Sequence, residues 1–303
     1  MKIIRIAVIA ALILAAVYYW PPARLRAMVL LGRSPDCPMA RAVQSDDELQ
    51  QQIKIKDELL KNSKKLETDP NGFELWDTPK GRWWIPKGSH FVLPFNLAEQ
   101  SRKIYGTGDR FVHPGDIVLD CGANVGVFAR EALDAGAKLV VAIEPAPENL
   151  ECLRRNFKPE IAAGKLIVYP KGVWDKDDFL TLNVDPNNSA ADSFVIQREG
   201  SQAMVKMPLT TIDKLAAELK LERVDFIKMD IEGAEVKALD GAHGVLAKYR
   251  PRMSLAVYHQ ADHPRSIPAA AARGWDGYKT ECGPCEEEKE HFFIHPAIMY
   301  FFQ

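Results

Sequence analysis

Two carboxylates and one histidine near predicted strand ends are the residues best suited to catalysis. Asp230 ends the predicted strand at 224–230, Glu232 follows it, and His259 ends the predicted strand at 252–259. Ligands of open α/β sheets bind beyond the carboxyl ends of the strands, so we expect these side chains to face one crevice. A carboxylate or imidazole within hydrogen-bond reach of a hydroxyl can remove its proton.

Each of the three residues has a competing structural explanation. We interpret Asp230 or His259 as a general base and Glu232 as the group that positions the acceptor. Asp230 would alternatively cap the helix that follows it, and His259 would alternatively satisfy a neighbouring carbonyl. The two carboxylates also suit a hard cation. Two ligands are too few to assign a metal, and none is assigned.

A glycine-containing loop follows the first predicted strand. Residues 118–126 read Val-Leu-Asp-Cys-Gly-Ala-Asn-Val-Gly, and residues 127–133 have helical spacing. Gly122 and Gly126 allow a tight turn and a close approach to a ligand, at the N-terminus of a helix. Glu144 ends the next strand about 20 positions on, where an acidic residue accepts hydrogen bonds from a ribose diol. The unit predicts a nucleoside site.

This loop does not match the pattern of a dinucleotide site. That pattern needs glycine at the first, third and sixth loop positions, which are Gly122, Asn124 and Val127 here. Asp120 would repel a pyrophosphate but attract an ammonium group. An NAD-dependent oxidoreductase is therefore the weaker alternative. The predicted cofactor-binding residues are Asp120, Gly122, Asn124, Gly126, Glu144 and Asp230.

Both motifs resemble those of known methyltransferases. The pattern Asp-x-Gly-x-Asn-x-Gly at 120–126, with Glu144, looks like motif I and the acidic strand-2 residue of class I methyltransferases. The segment 228–235 resembles the Lys-x-Asp-x-Glu-Gly-x-Glu signature of the FkbM family. The resemblance runs from about residue 90 to 265. It implies S-adenosyl-L-methionine as cofactor and O-methylation of a sugar, lipid or secondary metabolite.

The elements that position these residues predict one α/β domain. Alternation of apolar runs with helical segments favours parallel strands with crossover helices, and the strands are expected at 117–120, 139–144, 166–170, 224–230 and 252–259. The resemblance implies a Rossmann-like class I methyltransferase fold with a doubly wound, mostly parallel seven-stranded sheet. We assign residues 71–303 to this domain, with an N-terminal hairpin and helix at 71–110 and the core at 111–303. An extra hairpin within 179–208 is expected to shape the acceptor pocket.

The N-terminus predicts a membrane segment. Residues 6–20 carry no charge, and Arg5 can snorkel, which extends the apolar stretch toward the roughly 20 residues needed to cross a bilayer. We predict a single-pass anchor at 1–23 and a helical stalk at 24–70; a cleaved signal peptide is the competing interpretation. Flanking charges leave the orientation open. Because S-adenosyl-L-methionine is cytosolic, the catalytic domain is expected on the cytosolic side.

The composition of the chain limits the kinds of partner that it can be expected to bind. A net charge of −2 provides no electrostatic case for nucleic acid, so the expected partners are the membrane and a small-molecule, glycan or lipid acceptor. A non-catalytic, membrane-tethered binding module is a second alternative, and the oligomeric state is not assigned. Five cysteines do not form a disulfide scaffold. Cys282 and Cys285 are predicted to lie in a surface turn, with redox and metal roles left open.

Overall fold

The computed structural model describes residues 4, 5, 15, 17–184, 192–196 and 202–303. Most of the anchor predicted at 1–23 lies outside these residues. Within the described part, no helix has the length and apolar character needed to cross a membrane. The anchor therefore stays a prediction.

Helices and strands alternate through most of the chain. The helices are α1 (Pro21–Leu30), α2 (Met39–Ala42), α3 (Ser45–Lys61), α4 (Val92–Ser101), α5 (Val127–Asp134), α6 (Pro147–Asn156), α7 (Lys158–Ala162), α8 (Ile212–Glu218), α9 (Glu235–Asp240), α10 (His243–Tyr249) and α11 (His263–Gly274). The strands are β1 (Lys64–Thr68), β2 (Glu74–Thr78), β3 (Gly81–Ile85), β4 (Ile117–Cys121), β5 (Leu139–Ile143), β6 (Leu166–Tyr169), β7 (Gly172–Val173), β8 (Asp178–Val184), β9 (Gln202–Thr210), β10 (Phe226–Met229), β11 (Arg252–Ala256), β12 (Lys279–Cys282), β13 (Cys285–Glu288), β14 (Phe293–Pro296) and β15 (Ile298–Phe302).

The central sheet has seven strands in the order β12–β15–β11–β10–β4–β5–β6. The pairs from β11 to β6 are parallel, whereas β15 runs antiparallel to both β11 and β12. The predicted mostly parallel sheet is confirmed, and the five predicted strands match β4, β5, β6, β10 and β11 within a few residues. The charged strand β12 is not among the predictions.

Buried apolar side chains cover both faces of this sheet. Successive strand residues point to opposite faces, so Val118 and Val140 enter one core cluster while Leu119 and Val141 enter the other. Strands buried on both sides read as continuous apolar runs, which is why the sequence predicts them well. The runs end where Asp230 and Glu144 leave the sheet.

Residues 24–70, predicted as a helical stalk, pack on the domain instead. Helix α3 is present, but Arg102, which follows α4, donates to the Glu48 carboxylate of α3 at 3.0 Å. Strand β1 pairs with β2 of the hairpin β2–β3, which makes a three-stranded sheet. Arg24 donates to the Glu287 carboxylate at 2.8 Å. A fragment starting at residue 71 would lose these contacts.

Cys285 corrects the expectation for the two C-terminal cysteines. It is buried and forms a disulfide with Cys37, 248 residues away in sequence. Gly283 and Pro284 connect β12 of the central sheet to β13 of a separate two-stranded sheet. Cys282 keeps a free thiol, which donates to the carbonyl of Asp36 at 3.0 Å. The sequence could not pair Cys37 with Cys285 because the contact depends on the tertiary fold.

The disulfide is expected to stabilise the fold by restricting the unfolded chain. Replacement Cys37→Ser should lower the free energy of unfolding by about 2–4 kcal/mol, since the bond closes a long loop. The matched control Cys282→Ser, which removes a free thiol nearby, should change it little. Urea unfolding followed by circular dichroism measures both. Equal midpoints for wild type and Cys37→Ser would show that the bond contributes no stability.

Candidate active site

The loop after β4 packs directly on the end of β10. The parallel register places Met229 beside Cys121, so Asp230 leaves the sheet beside Gly122. Gly122 has φ +78°, and a Cβ placed on it would lie 1.9 Å from the carbonyl oxygen of Asp230. Only glycine accepts this φ and this approach together. The glycine-containing loop at 120–126 and the signature at 228–235 are therefore in contact through their backbones.

Glu144 faces the same loop from the end of β5. Its Oε2 accepts a hydrogen bond from the Asn124 N–H at 2.8 Å, and its Oε1 accepts one from the Ala146 N–H at 2.8 Å. Burial raises the pKa of Glu144 to about 7, against the opposing effect of these hydrogen bonds. The Asn149 side chain donates a third hydrogen bond to this carboxylate. Because a carboxylate has about four acceptor positions, Glu144 can still receive one hydroxyl of a ribose.

Two predicted cofactor-binding residues lie behind the site. The Asp120 side chain is fully buried, and its Oδ1 lies 3.4 Å from Lys228 Nζ. A Cβ on Gly126 would lie 2.2 Å from Cε2 of Phe157, so this glycine permits close packing. Among the described residues, neither Asp120 nor Gly126 is in the wall of the two cavities at the sheet edge. Asp120 acts on the site through Lys228, which donates to the Gly122 carbonyl at 2.8 Å.

Asp230 and Glu232 stand in the cavity walls, as the sequence predicts for catalytic groups. The Tyr105 hydroxyl donates to Asp230 Oδ2 at 2.7 Å, whereas Asp230 Oδ1 has no hydrogen-bond partner among the described residues. Glu232 has φ +55°, in the left-handed region. Such a conformation costs about 1–3 kcal/mol in a residue other than glycine and is typical of functional sites.

His259 lies behind these carboxylates and not in either cavity wall. Its side chain is 2% exposed, and its Nδ1 lies 2.9 Å from Glu235 Oε1. Burial alone would lower the pKa of His259, but the carboxylates of Glu232, Glu235 and Asp230 outweigh burial and raise it to about 10. Between the two candidate bases, the geometry therefore favours Asp230, because His259 neither reaches an acceptor nor is neutral at pH 7.

The larger cavity, of about 480 Å³, combines aromatic and acidic walls. Phe91, Phe95 and Tyr258 are exposed at it. Burial, reinforced by the charges of Asp230 and Glu286, raises the pKa of Glu99 to about 8. The volume and the mixed lining of this cavity are typical of a site that binds a small molecule.

The smaller cavity adjoins Glu144. The described part of the predicted extra hairpin contributes Asp192 and Phe194 to its wall. Ser193 Oγ donates to the Glu232 carbonyl at 2.7 Å and so holds that residue in place. The hairpin itself is confirmed by the antiparallel pairing of β8 with β9. Its described residues line the cavity beside Glu144, whereas the sequence suggested that it shapes the acceptor pocket.

Several site residues are missing from the sequence prediction. Glu235 belongs to the sequence signature at 228–235, but no role is predicted for it. In the structure it orients His259, and its carboxylate accepts a hydrogen bond from the Ile231 N–H at 3.0 Å. Glu99 comes from the helical segment before β4, where polar residues are common and carry no signal. Tyr105 belongs to the segment Tyr105-Gly-Thr-Gly108, which the sequence predicts as a border of the site for the donor's carboxylate, but its contact with Asp230 is not predicted.

Comparison with known proteins identifies the family. The model described as the methyltransferase FkbM domain matches residues 120–283, just over half of the chain. The 31-O-demethyl-FK506 methyltransferase FkbM of Streptomyces tacrolimicus is 24% identical over 190 residues, 54% of this chain and 73% of that protein. Methyltransferase sdnD of Sordaria araneosa is 28% identical over 154 residues, which are 41% of this chain and 59% of that protein. A solved FkbM methyltransferase from Methylobacillus flagellatus superposes with a TM-score of 0.47 at 16% identity, over 86% of this chain and 60% of that one.

Proposed function

This chain belongs to the FkbM family of methyltransferases, and we propose that it transfers a methyl group from S-adenosyl-L-methionine to a hydroxyl oxygen. One observation carries the proposal: the two cavities meet at four residues that line both of them. These residues are Gly122, Asn124, Asp230 and Glu232. A donor in one cavity and an acceptor in the other would react at this junction.

The residues of the smaller cavity fit the nucleoside end of the donor. Glu144 offers its remaining acceptor position to a ribose hydroxyl, and Gly122 leaves the loop backbone open to a ligand. When bound, the cofactor supplies a methyl group on a sulfonium, whose sulfur retains the bonding electrons as the methyl leaves. The protein's contribution is to hold oxygen and methyl in line, which can account for much of the acceleration.

Asp230 is the group proposed to receive the acceptor's proton. Asp230 lines both cavities at the junction, and its buried Oδ1 makes no hydrogen bond among the described residues. As the acceptor oxygen forms its bond to carbon with a lone pair, its proton passes to this carboxylate. The Tyr105 hydroxyl donates a hydrogen bond to the other oxygen, Oδ2, and so orients the carboxylate.

The larger cavity favours a neutral, hydroxylated acceptor with an apolar face. Phe91, Phe95 and Tyr258 offer aromatic surface, while Glu99 and Glu232 offer hydrogen-bond acceptors. The acidic lining disfavours an anionic molecule. A glycan, lipid or secondary metabolite meets these requirements. The name of the Streptomyces tacrolimicus relative, which specifies a 31-O-demethyl compound, supports transfer to oxygen.

Calorimetric titration of the full chain tests the donor site. S-adenosyl-L-methionine and S-adenosylhomocysteine are expected to bind, and NAD is not. Glu144→Gln should weaken binding at least tenfold, because the loss of hydrogen bonds to a charged acceptor costs about 1.5–3 kcal/mol. The control Glu148→Gln, at an exposed carboxylate of α6, should bind like wild type. Binding of NAD alone would refute the proposal.

The same titration should depend on pH in a defined direction. Because the pKa of Glu144 is about 7 in the free protein, its carboxylate is protonated below that pH and loses acceptor capacity. Affinity for S-adenosyl-L-methionine should therefore rise from pH 6 to pH 8. Glu144→Gln should flatten this rise. A rise of equal size in the variant would assign the titration to another group.

A further inference from the structure

The buried imidazole of His259 lies between three carboxylates. Its Nδ1 lies 2.9 Å from Glu235 Oε1 on one side of the ring. Its Nε2 lies 3.4 Å from Asp230 Oδ1 and 3.5 Å from Glu232 Oε2 on the other side. The His259 side chain is 2% exposed, and the Glu235 side chain is fully buried. Both ring nitrogens therefore face carboxylate oxygens away from bulk water.

Neither neutral form of the His259 ring suits this arrangement. A neutral imidazole has one N–H and one lone pair. With the proton on Nδ1, the Nε2 lone pair would face the oxygens of Asp230 and Glu232. With the proton on Nε2, the Nδ1 lone pair would face Glu235 Oε1. Only the imidazolium, which carries a proton on both nitrogens, is attracted to all three carboxylates.

The burial of Glu235 also requires a positive charge. An ionised carboxylate that is removed from water is costly unless it is paired. Among the described residues, the groups within ion-pair distance of Glu235 are the imidazoles of His259 and His263. Burial lowers the pKa of His263, so that ring is neutral at pH 7. The carboxylates overcome burial and raise the pKa of His259 to about 10, so His259 carries the charge that pairs with Glu235.

Asp230 stands among carboxylates that oppose its negative charge. A carboxylate oxygen of Glu232 lies within 4.8 Å of one of Asp230. Burial, reinforced by the charges of Asp230 and Glu286, raises the pKa of Glu99 to about 8. Like charges that are this close favour the protonated form of a carboxyl group. A proton acceptor at this position therefore needs a positive charge beside it.

Two cations act on Asp230 within the described part of the chain. Lys228 is one of them, but its Nζ lies 3.4 Å from the buried Asp120 and donates to the Gly122 carbonyl at 2.8 Å. His259 Nε2 lies 3.4 Å from Asp230 Oδ1 itself. His259 is therefore the cation in direct contact with the proposed base. The remaining titratable groups that act on Asp230 or His259 are Glu99, Tyr105, Asp120, Tyr258, His263 and Glu286.

We propose that His259 is a positioning residue: it stays positively charged between Glu235 and the site carboxylates, and so keeps Asp230 ionised and directed at the cavity junction. This inference rests on the proposed methyl transfer, in which Asp230 receives the proton of the acceptor. Glu235 acts one step further back, because it fixes the ring through Nδ1. An opposite charge within about 4–6 Å lowers the pKa of a carboxyl group by about 1–3 units.

Nitrogen-15 NMR of the full chain with labelled histidine tests the charge of the ring. An ordinary histidine has a pKa of about 6.5 and is mostly neutral at pH 8. His259 should still carry a proton on both ring nitrogens at pH 8 and lose one at about pH 10. Its signals are those that are missing from His259→Gln. If none of the seven histidines is doubly protonated at pH 8, the proposal is overturned without any variant.

Carbon-13 NMR of labelled aspartate carboxyl groups measures the effect on Asp230, whose signal is the one missing from Asp230→Asn. In His259→Gln and His259→Asn, the pH at which this signal titrates should rise by about one unit or more. Each amide keeps one of the two donors of the ring, so a rise in both variants would come from the lost charge. The matched control is His263→Gln, since His263 is also buried beside Glu235. It should leave the titration of Asp230 unchanged.

The outcomes separate this proposal from the proposed function. An unchanged titration of Asp230 in folded His259 variants, or an equal rise in His263→Gln, would overturn the role of His259 but not methyl transfer. Thermal unfolding shows which variants fold. Neither NMR measurement requires donor, acceptor or turnover. A rise confined to the His259 variants, in a chain that binds no S-adenosyl-L-methionine, would support the role of His259 and refute the proposed function.

Discussion

Asp230→Asn is expected to lower kcat for methyl transfer at least 100-fold. General-base catalysis contributes about 10²–10⁴-fold. The amide keeps the size of the side chain and can still accept the Tyr105 hydrogen bond. The expected effect is therefore on turnover, with little change in thermal stability.

Transfer of radiolabelled methyl from S-adenosyl-L-methionine to an identified acceptor measures this effect. Asp262→Asn is the matched control, because this exposed aspartate precedes α11 and makes no side-chain cap hydrogen bond. It should retain wild-type kcat. A value for Asp230→Asn within threefold of wild type would remove Asp230 as the general base.

Gly122→Ala is expected to damage both stability and activity. The added Cβ would lie 1.9 Å from the Asp230 carbonyl oxygen and 3.2 Å from Cγ2 of Ile231. The first neighbour is backbone, which cannot rotate away, so the loop or the end of β10 must shift. With the strain of φ +78°, we expect the free energy of unfolding to fall by about 2–4 kcal/mol. Displacement of Asp230 should also reduce turnover.

The control Gly164→Ala separates the strain of a positive φ from the steric contact with Asp230. Gly164 has φ +67°, but a Cβ there would meet nothing within 4 Å. This control therefore carries the backbone cost alone, about 1–2 kcal/mol, and should leave turnover unchanged. Urea unfolding and steady-state kinetics measure both variants. Equal losses in the two variants would show that the contact between Gly122 and Asp230 is not tight.

Local patterns account for what the sequence predicts correctly. The runs around Val118, Val140 and Ile227 are apolar because both faces of the sheet are covered, and this composition is visible without a fold. The turn after Thr78 likewise depends on neighbouring residues only. By contrast, the stalk prediction missed β1, whose exposed residues Lys64–Thr68 carry no apolar pattern.

The sequence by itself determined the family, the sheet and the carboxylates at its edge, because motifs and strand patterns are local. Only the tertiary structure decided how charges are partnered. It buried Asp120 against Lys228, placed His259 between Glu235 and the carboxylates of Asp230 and Glu232, and joined Cys37 to Cys285. The physical reason is that burial and charge pairing depend on residues far apart in the chain, whose distances no local pattern contains.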